Sequence, residues 1–138
     1  QEAIRHYKQE FIPSSYQSKP KTNVCVFVVC AETTEEAEEH AKTLDDWLLK
    51  VAKGGDTTVS SIEEVRNRSY SEEELKKIST NRPRMIVGNP AEVKQGLTQL
   101  QQKYDNDEFL IITNIHDYEA KKKSYQLLAE LFPQPSFF

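Results

Sequence analysis

The stretch Asn23-Val24-Cys25-Val26-Phe27-Val28-Val29-Cys30-Ala31 is a nearly unbroken apolar run rich in valine. A strand that is apolar on both faces belongs in the interior of a covered, usually parallel, sheet. A helix start follows at once, because Glu36 stands three places after Thr33, the spacing of a capping box. Ala37, Ala41, Leu44, Leu48 and Val51 then recur at spacings of 4, 3, 4 and 3, which is one stripe of an amphipathic helix. Gly54-Gly55 marks its end.

Outward from this βα unit the pattern repeats. Upstream, residues 3–11 read as the end of a helix, and Pro13 and Pro20 bracket an extended polar connection. Downstream, residues 54–70 are polar, small and without sustained period, the signature of a long loop. Ser71 with Glu74 is a second capping box, opening a short helix through Leu75 and Ile78. Arg84 to Gly88 reads as a short strand, and Asn89-Pro90 as a helix start whose stripe is Val93, Leu97, Leu100 and Tyr104. Asp105 to Asp107 turn the chain into a third buried strand, Glu108 to Thr113. The last helix starts near Asp117, with Tyr118, Tyr125, Leu128 and Phe132 as its stripe and Pro133 and Pro135 at its end.

Strands alternating with helices define an α/β chain with parallel βα units. Right-handed crossovers are expected to lay the helices over one face of the sheet. Strands apolar on both faces would then leave the other face bare. A closed (β/α)8 TIM barrel removes that problem, but needs eight units and about 250 residues. The chain has 138 residues and three strands, and begins with Gln1 in what reads as mid-helix. The expectation is therefore a single partial domain, the C-terminal portion of such a barrel.

Composition excludes several classes. The net charge is -4 and the pI about 5.5, which argues against a nucleic acid bound through a basic face. No apolar run approaches the roughly 20 residues that cross a bilayer, and the first residues lack a signal-peptide pattern. Cys25 and Cys30 are five apart, so in a strand they point to opposite faces and cannot bridge each other; both are expected as buried thiols in a cytoplasmic protein. No His, Cys, Asp and Glu cluster has metal-ligand spacing, so no metal is expected. The acidic run EEAEEHAKTLDDW reads as a wet helical face, and His6 and His40 as isolated, solvated residues.

Three strings carry a resemblance: VFVVCAETTEEAEEHA, RPRMIVGNPAEVKQGLTQL and DEFLIITNIHDYEAKKKSYQLLAELF. In this order and spacing they resemble the C-terminal part of bacterial luciferase-like, flavin-dependent oxidoreductases, and the leading YKQEFIPSSYQSKP is similar to the link that precedes that region. The resemblance implies a (β/α)8 barrel whose members use reduced flavin, usually FMN, with O2 in most of them to oxidise a small organic substrate. It also implies a separate flavin reductase. Most flavin contacts would come from strands upstream of Gln1, with this chain contributing the closing strands. Residues 54–84 would correspond to the mobile lid near the active-site mouth, which shields reactive intermediates from water.

The candidate site residues follow. Asn114, His116 and Asp117 stand where the last strand hands over to a helix, the face of a barrel where active sites collect. Asn114 offers a hydrogen bond to a flavin or substrate carbonyl, and His116 a proton near neutral pH; Asp117 is equally placed to cap the helix. Gly88 opens a helix N-terminus, a weak candidate for cofactor contact, with a structural turn as the competing reading. Tyr70, Arg82 and Arg84 edge the lid region as contacts for an anion, against the alternative that the arginines pair with nearby glutamates. No residue is assigned a catalytic role.

Isolated from the rest of the barrel, the chain is expected to bind no flavin, to turn nothing over and to self-associate through its bare sheet face. The competing reading is a stand-alone, non-enzymatic α/β module that docks a partner protein through that face. A doubly wound nucleotide-binding domain is disfavoured, because no glycine-rich βα turn is present.

Overall fold

The run that opens the sequence reading is the central strand, β1 (Asn23–Cys30), in a computed structural model that describes residues 1–132. It follows α1 (Glu2–Glu10) and a connection without regular structure. After it come α2 (Thr34–Ala52), α3 (Ile62–Arg66), α4 (Glu72–Asn81), a single 3-10 turn at Arg82–Arg84, β2 (Met85–Gly88), α5 (Pro90–Tyr104), β3 (Glu108–Ile112) and α6 (Tyr118–Leu131). Pro133 and Pro135, read as the end of the last helix, lie outside the described residues.

All strand pairing is parallel, and the order is β2-β1-β3. The two neighbours divide β1 lengthwise. Its first half pairs with β3, from Asn23↔Glu108 to Phe27↔Ile112, and its second half with β2, from Phe27↔Met85 to Cys30↔Gly88. The edge of β1 that faces β2 is consequently without a strand partner over its first residues.

The helices cover both faces rather than the expected one. Val26, Val28 and Cys30 of β1 pack against Val93 and Leu97 of α5 and Leu127 and Leu128 of α6. Phe27 and Val29, pointing the other way, pack against Ala41 and Leu44 of α2. The reason is topological. The chain travels from β1 to β2 in one direction and returns past β1 to reach β3, so crossovers of the same hand must fall on opposite faces. Each fully buried valine or leucine in these clusters contributes about 1.5–3 kcal/mol of apolar burial.

Cover is incomplete on the α2 side. Leu110 of β3 is 55% exposed, and Cys25 beside it is exposed as well. Thus β3 is a half-covered edge strand rather than the buried strand its composition predicts, and only Cys30 of the two thiols is buried. The stripe of α6 also differs from expectation. Tyr118 is 68% exposed, and the buried positions are Ser124, Leu127 and Leu128. Two tyrosines and a terminal phenylalanine read as core by composition, whereas smaller residues fit the close contact with β1.

Local signals set the boundaries. Ser71 with Glu74, and Asn89 with Glu92, form complete capping boxes. Thr33 accepts the Glu36 N–H, which is half of the box expected there. Gly54 ends α2 in the left-handed region, with φ 68. The stretch 54–70 is not wholly a loop, since Ser61 and Glu64 form a third capping box that opens α3.

Candidate functional site at the carboxyl ends of the strands

Parallel strands bring their carboxyl ends to one rim, where α/β folds place their chemistry. Three connections meet there: Ala31 to Thr33 after β1, Gly88-Asn89 after β2, and Thr113 to Asp117 after β3.

The β2 connection is tied to the start of α2. The Thr34 hydroxyl donates to Glu92 Oε2 at 2.7 Å, the Asn89 N–H donates to the same oxygen at 2.9 Å, and the Glu92 N–H donates back to Asn89 Oδ1 at 3.1 Å. The Thr34 hydroxyl, followed by the Asn89 N–H, holds the Glu92 carboxyl below its ordinary range. Gly88 is required by this arrangement. A Cβ there would lie 2.3 Å from Glu92 Oε2 and 3.0 Å from Glu92 Cβ. The free donors expected at this helix start are thus taken by the chain's own carboxylate, and Gly88 serves close approach.

The β1 and β3 connections diverge beyond Phe27 and Ile112, and side chains replace the missing ladder. The Thr113 hydroxyl donates to the Val28 carbonyl at 2.7 Å, and the Cys30 N–H donates to Ser124 Oγ at 3.0 Å. The Thr113 N–H reaches the Tyr125 hydroxyl at 3.0 Å. Thr113 and Ser124 are fully buried. Burial, with a smaller contribution from Glu32, pushes the Cys30 thiol up to about 11. Asn114 stands half-buried at the rim and His116 is exposed; the His116 N–H donates to Thr43 Oγ1 at 3.3 Å. Asp117 caps α6, accepting the Ala120 N–H at 2.8 Å.

Residues 54–84 lie against α2. Arg82 straddles Asp45, with Nε 3.0 Å from each carboxylate oxygen, and reaches Glu38 at 2.8 Å. Tyr70 donates to Asp46 Oδ1 at 3.1 Å. Burial first, then the Asp46 carboxylate, pushes its phenol up to about 12. Arg84 is exposed and lines an open groove of about 760 Å³ along the free edge of β1, together with Val24, Met85, Leu100 and Tyr104. The rim therefore unites Asn114, His116, Asp117 and Gly88, while Tyr70 and Arg82 are engaged by α2. Glu64 completes the cap of α3: the Ser61 N–H donates to Glu64 Oε2 at 2.7 Å and holds its carboxyl down.

Sequence reading missed Asp45, Asp46, Thr43 and Ser124. The acidic run of α2 is not wholly a wet face, because Asp46 is fully buried and Asp45 nearly so. Burial pushes the Asp45 carboxyl up, and Arg82 opposes it. The available signal was positional: Asp45 stands four residues after Ala41 and four before Leu49, on the buried stripe. His40 is likewise half-buried rather than solvated, and its Nδ1 has no hydrogen-bond partner among the described residues. Among those residues no group of three or more His, Cys, Asp and Glu is arranged to hold a metal ion. Among the described residues no helix is long and apolar enough to cross a membrane.

Fold and rim define a parallel α/β unit with a polar mouth at its carboxyl end. No family model matches the chain. It is 47% identical over 130 residues to the uncharacterized protein YceB of Bacillus subtilis (strain 168), covering 94% of this chain and 39% of that protein. It is 29% identical over 129 residues to the N-acetyl-S-alkylcysteine monooxygenase of the same organism, covering 94% and 38%. A luciferase-like monooxygenase of Escherichia coli (strain K12) is 23% identical over 130 residues, again covering 94% and 39%. Among solved structures, the crystal structure of apo-MsnO8 superposes with a TM-score of 0.80 at 28% identity, over 95% of this chain and 40% of that one. The chain spans about two-fifths of the length of the curated relatives it matches. Its distant relatives thus include monooxygenases, in agreement with the resemblance read from the sequence.

Proposed function

We propose that this chain is the C-terminal part of a luciferase-like, flavin-dependent monooxygenase, in which it supplies closing strands of a (β/α)8 barrel. The observation that carries the reading is the match of nearly the whole chain to two-fifths of proteins named as monooxygenases. In the intact protein the reaction is the oxidation of a small organic substrate by O2 with reduced FMN, delivered by a reductase. The parallel pairing of β1 with β3 suits two neighbouring staves of a barrel, with β2 set on the other edge of β1. The edge of β1 beside its groove, which among the described residues has no strand partner before Phe27, suits the approach of further strands.

The residues present do not by themselves fit FMN. The anion position at the start of α5 is filled by Glu92, and Arg82 is neutralised by Asp45 and Glu38. No step of the reaction is therefore assigned to this chain. Asn114 and His116 are its contributions to the mouth, where they would orient a bound group, and residues 54–84 form the cover.

Titration of the chain with FMN, followed by flavin fluorescence, tests the incomplete site. No saturable binding is expected, and micromolar or tighter affinity overturns it. A longer protein that includes the remaining strands is expected to bind FMN; its failure to do so overturns the family reading. The same uncovered edge makes the isolated chain self-associate, which light scattering after size exclusion measures. A monomer at high concentration removes that proposal.

A further inference from the structure

We infer that the outer flank of β3 and α6 is an interface between two copies of this chain, related by a two-fold axis that passes through the sheet at Leu110. Two observations on different elements meet there. The first concerns the backbone. The Glu108 N–H points to β1 and donates to the Thr22 carbonyl at 3.2 Å, while the Thr113 N–H points away and donates to the Tyr125 hydroxyl at 3.0 Å. Successive residues of a strand turn their backbone groups to opposite edges, so Phe109 and Ile111 present N–H and C=O outwards. Among the described residues no strand meets them. Natural edge strands are guarded by lysine, proline or a bulge, whereas EFLII carries only Glu108, at its start.

The second observation is apolar. Tyr118, Tyr125 and Phe132 recur every seven residues along one side of α6 and its C-cap, and all three are exposed. The bond from Thr113 to Tyr125 fixes that side as the one beside the open edge of β3. A partner has to offer a strand edge and an apolar helix flank together, and a second copy offers both. Antiparallel pairing sets Leu110 against Leu110 and lets Phe109 and Ile111 of one copy exchange hydrogen bonds with Ile111 and Phe109 of the other. It also sets Glu108 opposite Ile112, whereas a parallel stack in register would oppose Glu108 to Glu108. The two α6 helices then run antiparallel over one face of the joined sheet, aromatic sides together. This flank is separate from the free edge of β1, and the inference holds for the 138-residue chain whether or not that chain binds flavin.

Disulfide cross-linking of the full chain tests it in a Cys25→Ser background, which removes the exposed thiol that neighbours Leu110 in register. In Leu110→Cys the facing Cα atoms stand about 4.5 Å apart, within the range a disulfide spans. Mild oxidation is expected to join most of this variant into covalent dimers on a non-reducing gel. In Glu108→Cys the counterparts lie about 13 Å apart along the strands, so far less dimer should form. Leu110→Lys, at an exposed position, is expected to keep the circular dichroism of the unsubstituted chain and to lower the mass measured by light scattering after size exclusion. No dimer from Leu110→Cys, equal cross-linking of Glu108→Cys, or an unchanged mass for Leu110→Lys would each overturn the inference.

Discussion

The hydroxyl of Thr113 donates to the carbonyl of Val28 at 2.7 Å, doing with a side chain what a backbone ladder does elsewhere in the sheet. The bond is buried and stands where β1 and β3 part. Thr113→Val keeps the shape and removes the donor, leaving a buried carbonyl without its partner. A loss of about 1–3 kcal/mol is expected in urea unfolding, and Thr113→Ser should recover most of it.

Gly88 and Glu92 define a second prediction. In Gly88→Ala the new methyl collides with the carboxylate that completes the cap of α5, so the cap must open. The expected cost is about 1–2 kcal/mol by thermal unfolding. In a Glu92→Ala background the same substitution should cost distinctly less, because the carboxylate at 2.3 Å has gone and only the Cβ at 3.0 Å remains; equal costs would refute the clash.

Leu97 is almost fully buried between α5 and the face formed by Val26 and Val28. Leu97→Ala is expected to destabilise by about 2–5 kcal/mol, the spread reflecting how far α5 can settle into the cavity. Leu110→Ala, on the uncovered side of β3, should change stability by less than about 1 kcal/mol. Chemical denaturation of both variants makes the comparison.

Glu74 carries the clearest pH dependence. The Lys53 ammonium, then the Ser71 N–H, pull its carboxyl down to about 2. The folded state thus favours the charged form. Its contribution is complete above the unfolded value near 4.3 and is lost as pH falls from there towards 2. The pair is exposed, so the effect on stability is small and best followed directly. A carboxyl titration by NMR should place Glu74 below the other glutamates, and Lys53→Met should raise its midpoint.

The two thiols should separate kinetically. Cys25 is exposed, whereas Cys30 is buried and held up to about 11. At neutral pH a disulfide reagent is expected to titrate Cys25 quickly and Cys30 only after denaturation. Rapid modification of both in the native state would contradict the packing of β1.

Legibility differed by kind of signal. Strands and helices could be read because each has a local period and a local boundary: Asn89-Pro90, Ser71 with Glu74, and Gly54 all act where the sequence places them. The strand order could not be read, since nothing near Met85 or Glu108 states which flank of β1 it will take. That ignorance produced the expectation of helices over one face. Burial of polar residues escaped for a related reason. Asp46 and Ser124 are buried because of partners 22 and 94 residues away, Arg68 and Cys30, and composition alone assigns both to the surface. Tyr118 failed in the opposite sense: an aromatic ring counts as core by composition, yet it stands exposed in the first turn of α6, ahead of the buried Ser124, Leu127 and Leu128.

The central position of β1 also sets a schedule. Of the three strands described, β1 comes first in the chain, and Thr113, which secures Val28, follows 85 residues later. During synthesis this apolar strand must therefore wait, with one flank unclaimed, until β3 and Thr113 have emerged. Distant pairings of this kind slow folding and prolong exposure to wrong partners. Thus β3, rather than β1, decides when this part of the sheet becomes safe.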